Sequence, residues 1–264
     1  MLIIESDIMY FFSVGAMFKN ESHCIKEWIE HYLNQGADHF YLVNDSSTDN
    51  TVEILQPYIE QGLITLYNSD LPIILGRQRN TYNNFILPHL NNKETKWLLI
   101  CDLDEFVWSP VYKTLTVFLS HYVDTLAQVQ IVPTIFGSNN LEKQPKSLVQ
   151  GFTKRTIDVP TENVRTYKYF VNSDFKYSSL NVHHATPEDS KYLSVEYFKI
   201  INSDYIRLNH YSCQSKEFWI NIKCTRGDAD AYLQRNMEIF DSYNHFSNIV
   251  DDFELAEINK HLSY

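Results

Sequence analysis

From Met9 to Phe18 the chain is almost wholly apolar, with aromatic and β-branched side chains, which suits a buried strand better than a helix of that length. A polar break, Lys19-Asn20-Glu21-Ser22, follows. Ile25, Trp28, Ile29, Tyr32 and Leu33 then recur at i, i+3, i+4, i+7 and i+8, one apolar stripe on a helix that Gly36 can end. His39 to Val43 predicts a second strand, closed by the cluster Asn44-Asp45-Ser46-Ser47-Thr48-Asp49. Val52, Leu55, Tyr58 and Ile59 carry a second helix to Gly62, and Leu63 to Tyr67 a third strand. After a loop with Pro72 and Gly76, Gln78 to Leu90 predicts a helix, and Trp97 to Cys101, apolar throughout, a buried strand.

Strands alternating with helices imply parallel pairing through right-handed crossovers, with ligands bound outside the carboxyl ends of the strands. The polar clusters lie at those ends. Beyond Pro110 the pattern predicts a helix over Leu115 to Tyr122, a strand over Gln128 to Val132, and an irregular region to about Pro187. A strand ending at Asn209-His210, a helix from Ser215 and an acidic, helical C-terminal stretch complete the order.

Composition narrows the function. A formal net charge of -11 disfavours any general hold on nucleic acid or an anionic bilayer, so an anionic ligand must be gripped locally. Four cysteines without a C-x-x-C pair read as reduced structural thiols. The N-terminus lacks a secretory signal pattern and no apolar run reaches the roughly 18 residues of a membrane span, so the expected compartment is the cytoplasm. With only 7 glycines, each is a strong turn or helix-end signal.

The sharpest chemical feature is Cys101-Asp102-Leu103-Asp104-Glu105, directly after the buried strand. Carboxylates at i and i+2 of an extended segment point the same way and can meet one cation, whose shell substrate phosphates complete. Asp-x-Asp alone is a common solvated turn; its place at a strand's carboxyl end favours the metal. His210 offers an imidazole suited to Mn²⁺ beside two carboxylates. On the helix after Ser215, Lys216, Lys223 and Arg226 at i, i+7 and i+10 share a face, either solvated or turned to a leaving diphosphate. His183, His184 and Glu196, with Glu188 and Asp189, lie where an acceptor-side general base is expected, and the sequence does not order them.

Taken in order, Lys19-Asn20-Glu21, Glu27-Trp28-Ile29, Asn44 to Asp49, Gly76 with Arg79-Asn80, and Asp102-Leu103-Asp104-Glu105-Phe106 resemble glycosyltransferase families 2 and 92. The resemblance continues through Phe136-Gly137-Ser138, His183, and Asn209-His210-Tyr211 with Ser215, Phe218, Lys223, Arg226 and Gly227. Where relatives often carry Lys before the serine, this chain has Gln214, with Lys216 close by. The resemblance implies one GT-A domain over residues 1–264, a Rossmann-like nucleotide-binding mixed sheet flanked by helices with a helical C-terminus. Residues 1–108 would be the nucleotide-sugar half and 109–264 the acceptor half. It implies an inverting transfer from a nucleotide-diphosphate sugar, UDP being the expected nucleotide, to a glycan or other hydroxyl acceptor. Lys19, Glu21, Asp45, Gln78, Arg79, Asp102, Lys216, Lys223 and Arg226 would bind the donor, and Asp102, Asp104 and His210 would hold Mn²⁺ or Mg²⁺. A sugar nucleotidyltransferase would want a Gly-rich phosphate loop, which Phe18 to Glu21 lacks. A non-catalytic carbohydrate-binding relative is disfavoured by the joint presence of Asp102, Asp104 and His210.

Overall fold

The apolar runs become strands whose side chains are buried alternately on two faces. A computed structural model describes residues 9–122, 125–158, 166–201, 203–226, 229 and 235–262. In its first half β1 (Tyr10–Phe18), α1 (Ile25–Asn34), β2 (His39–Asn44), α2 (Thr51–Glu60) and β3 (Ile64–Asn68) alternate as expected. The helix expected over Gln78 to Leu90 is two, α3 (Arg77–Phe85) and α4 (Leu87–Asn91). Pro88 has no N–H for an i−4 carbonyl, so it opens a new helix instead of continuing the old one. β4 (Thr95–Ile100) follows, and β4, β1, β2 and β3 pair in parallel. Trp97 and Leu99 face the α1 layer while Leu98 and Ile100 face α3 and α4, so both faces are covered and β4 reads as an unbroken apolar run.

Downstream lie β5 (Glu105–Trp108), α5 (Leu115–Tyr122), β6 (Gln128–Ile131), β7 (Pro133–Ile135), α6 (Leu148–Gly151) and β8 (Lys154–Arg155). Then come β9 (Lys168–Asn172), β10 (Tyr177–Leu180), β11 (Ala185–Pro187), β12 (Phe198–Ile201) and β13 (Arg207–His210). The stretch to Pro187 is therefore not irregular. Its strands are short, β9 is buried at every position, and β10 meets β11 across a register shift, so no alternation marks them. Among the described residues the main sheet has seven strands in the order β12-β6-β9-β4-β1-β2-β3, with β9 antiparallel to both neighbours. This is the mixed, helix-flanked α/β sheet expected from the sequence.

A second sheet, β5-β13-β7, stands at the carboxyl edge of the first and sets His210 opposite Glu105 in register. The chain continues through α7 (Lys216–Phe218), a π turn (Trp219–Lys223) and α8 (Cys224–Arg226). It closes with α9 (Met237–Ser247), β14 (Val250–Asp251) and α10 (Glu254–Asn259). Gly137 abuts the end of α9 so closely that a Cβ would lie 2.6 Å from the Ser247 carbonyl oxygen. No helix among the described residues is long and apolar enough to cross a membrane.

Candidate active site

The carboxyl ends of β1, β2 and β4 open into a cavity of about 590 Å³. Its floor is the turn after β4. Glu105 N–H donates to the Asp102 carbonyl at 3.1 Å, so Asp102 and Asp104 lie on a turn, not on the extended segment expected. Helix α1 holds this turn from behind: Trp28 Nε1 donates to the carbonyls of Asp102 (3.0 Å) and Glu105 (3.1 Å), and the Tyr32 hydroxyl donates to Glu105 O at 3.1 Å. Tyr211 N–H, just past β13, donates to the Asp104 carbonyl at 2.8 Å.

The turn sends the two aspartates to different partners. Asp102 accepts from Lys168 Nζ at 2.7 Å and from Gln78 Nε2 at 3.2 Å. Asp104 faces Lys223 Nζ at 3.1 Å and His210 Nε2 at 3.5 Å. Glu105, buried behind them, lies 3.3 Å from Lys168 and 3.8 Å from His210. Burial would raise Asp104, but Lys223 and His210 outweigh it and hold its carboxyl well below the ordinary value. Burial lowers His210, and Asp104 with Glu105 more than reverses that. Burial raises Glu105 against the pull of Lys168, and repulsion from Asp102 adds to the rise. The result is a low-dielectric floor of alternating charge.

The rim comes from the polar clusters after β1 and β2. Asn20, in the left-handed region at φ 55°, accepts the Thr48 N–H at 2.7 Å, and Ser47 Oγ accepts the Asn20 N–H at 3.0 Å, which knits the two loops together. Asp49 accepts the backbone N–H groups of Thr51 and Ser22, both at 3.1 Å, a structural role at the start of α2. Asp45 is buried in an ion pair with Arg77, whose Nη1 lies 2.6 Å away. Glu21 accepts from Arg226 at 2.5 Å, and Arg226 also donates to the Lys19 carbonyl at 2.6 Å.

Lys19, Glu21, Asp45, Gln78, Asp102, Asp104, His183, His210, Lys223 and Arg226 thus line one cavity. Four expected residues do not. Arg79 is exposed, and the α3 guanidinium in the lining is that of Arg77, two residues earlier on the first turn of the helix. Lys216 points away to Glu142, because the π turn winds less per residue than an α-helix and breaks the shared face with Lys223. His184 and Glu196 are exposed and off the lining. Gln214 is buried between Gln144 and His23. Gly227 lies outside the described residues. Among the described residues, the one group of three metal-ligating side chains within 4.8 Å of one another is Glu21, His23 and Cys24, so Asp102, Asp104 and His210 share a cavity without being gathered that closely.

Sequence reading missed Lys168 and Arg77, and named Glu105 in its motif without giving it a role. Arg77 sits in the same Gly76-Arg77-Gln78-Arg79 stretch, where helical phase was the available signal; Lys168 heads a strand that had no periodicity to announce it.

No curated protein sequence is similar enough to count as a match. Among solved structures, the chain is similar to S. aureus TarS 1-349 in complex with UDP, at 16% identity and TM-score 0.45, over 75% of this chain and 60% of that one. With the same protein in complex with UDP-GlcNAc the values are 14% and 0.46, over 88% and 64%. HddC from Yersinia pseudotuberculosis gives 10% and 0.39, over 75% and 92%. This chain therefore spans 60% and 64% of the lengths of the two TarS chains. The sequence model of glycosyltransferase family 92 matches residues 9–263, almost the whole length, and the chain belongs to that family.

Proposed function

We propose that this glycosyltransferase moves a sugar from a nucleotide diphosphate, UDP for preference, onto a glycan or other hydroxyl acceptor with inversion at the anomeric carbon. The observation that carries the reading is the pairing of carboxylates with cations at the ends of β1, β2 and β4: Glu21 with Arg226, Asp45 with Arg77, Asp102 with Lys168, Asp104 with Lys223. Carboxylates accept hydrogen bonds from a base N–H and ribose hydroxyls, while ammonium and guanidinium groups suit phosphates. Lys223 and Arg226 both line the cavity, where they can meet the diphosphate's charge on a protein that is acidic overall.

Two of the expected ligands, Asp104 and His210, stand close enough to share a divalent cation, while Asp102 is turned to Lys168. Asp104 and His210 offer a carboxylate oxygen and an imidazole nitrogen 3.5 Å apart, with Asp102 on the same turn, a combination suited to Mn²⁺ or Mg²⁺. Such an ion would neutralise charge on the leaving diphosphate. The Lys168–Asp102 pair favours a second reading, in which protein cations alone carry that charge.

The test is thermal unfolding with UDP and Mn²⁺, since a ligand of the folded state raises the melting temperature by mass action. UDP is expected to raise it; no shift with UDP, GDP or dTDP removes the donor site. Asp104→Asn and His210→Ala should each abolish the Mn²⁺-dependent part of UDP binding, and the double variant should be little worse than either. Undiminished UDP-sugar hydrolysis in EDTA would establish the metal-free reading.

A further inference from the structure

Transfer to a hydroxyl needs a group to receive the acceptor's proton, and the sequence left His183, His184, Glu188, Asp189 and Glu196 level. We propose that His183 is the general base, taking that proton on Nε2; the proposal rests on the donor-site reading above. Residues 181–184, between β10 and β11, are pinned from several sides. The Tyr169 hydroxyl donates to the Asn181 carbonyl at 2.6 Å, Gln130 Nε2 donates to the His183 carbonyl at 3.1 Å, and Asn181 N–H closes the turn on His184 O at 2.8 Å.

Within that frame His183 Nδ1 lies 3.0 Å from the Tyr167 carbonyl. A carbonyl oxygen only accepts, so Nδ1 carries the hydrogen and Nε2 keeps its lone pair. The side chain lines the same cavity as Asp102 and Lys168, whereas His184, Glu188, Asp189 and Glu196 stand outside it. The charged and titratable groups around it are Lys168 at the start of β9, Asp102 on the turn after β4, and His184 on its own loop. Burial, helped by Lys168, lowers its pKa from 6.5 against the Tyr167 hydrogen bond and Asp102, which keeps the ring neutral at pH 7.

In the reaction the acceptor oxygen bonds to the anomeric carbon. The bond from that carbon to the phosphate oxygen breaks, its electron pair leaving on the nucleoside diphosphate. The hydroxyl proton passes to Nε2 and then to solvent.

The experiment uses UDP-glucose, UDP-galactose and UDP-N-acetylglucosamine with Mn²⁺, water serving as acceptor. His183→Asn keeps an amide N–H in place of Nδ1–H toward the Tyr167 carbonyl and removes the base, so a merely structural histidine would be replaced at little cost. Hydrolysis should fall by about 100-fold or more while UDP affinity stays within about threefold. A variant as fast as wild type overturns the proposal, as does a parallel loss of UDP affinity, which would make His183 a donor-binding residue. Wild-type protein that binds no UDP brings down the donor reading itself, a distinct result. Should His183→Asn fail to fold, His183→Gln serves instead: hydrolysis lost at retained UDP affinity is expected, and hydrolysis as fast as wild type overturns the role.

Discussion

Asp45, a donor-site residue in the reading proposed above, is also bound up with stability. Its side chain is 7% exposed and that of Arg77 5%, and Arg77 Nε also donates to the Leu71 carbonyl at 2.7 Å, so the pair is fixed on both sides. Removing one member of a buried pair leaves an uncompensated charge and costs about 3–5 kcal/mol. Asp45→Ala is therefore expected to lower the melting temperature of the free protein as well as the UDP response. A group that served the ligand alone would lose the UDP response at unchanged stability. An unchanged melting temperature in the variant would restore that simpler picture.

At the scale of elements, the segment Lys216 to Arg226 divides its charges between site and solvent. Lys223 and Arg226 are on carboxylates of the cavity, whereas Lys216 makes an exposed pair with Glu142 of the kind worth little. Replacing Lys223 and Arg226 together by Ala is expected to lower turnover more than donor affinity, because their charge matters most as the diphosphate leaves. Lys216→Ala serves as the control and should stay within about twofold of wild type. Equal turnover in all three proteins would return the whole face to solvent. Helix α1 works by a different route: Glu27 accepts from Leu148 N–H at 2.7 Å and Val149 N–H at 3.2 Å, so its carboxylate caps the first turn of α6. Glu27→Gln halves that charge-assisted cap and should cost about 1 kcal/mol in denaturant unfolding, without changing UDP affinity. A shift in UDP affinity at unchanged stability would place Glu27 in the donor site instead.

For the whole molecule, two histidines tie stability to pH. His31 is fully buried, with Nε2 donating to the Val107 carbonyl at 2.8 Å and Nδ1 accepting from Asn259 at 3.0 Å, a neutral tautomer satisfied at both nitrogens. Burial lowers both His31 and His39 from 6.5 to about 4. The unfolded chain therefore takes up these protons first as pH falls. Between pH 6.5 and 4 the unfolded state binds more protons, so stability falls with pH across that window and levels off below it. For His31 the loss is on the order of 3 kcal/mol. Denaturant midpoints should show a shallower acid slope in His31→Gln than in wild type, and the same slope in both would refute the assignment.

What the residues settled by themselves was local: the apolar runs of β1, β2 and β4, the stripe of α1, and the polar clusters left at strand ends, because period and punctuation are properties of neighbouring positions. Asp102 and Asp104 stood out for the same reason, as carboxylates directly after a buried strand. Only the tertiary structure decided who faces whom. It gave Asp102 to Lys168 and Asp104 to Lys223 and His210, chose Arg77 over Arg79 and His183 over His184, and turned Lys216 out of the site. The physical reason is distance along the chain: β9, the 181–184 turn and β13 reach the floor of the cavity from segments far downstream of β4. A lysine at the head of a short, wholly buried strand has no pattern of its own until that strand finds its partners.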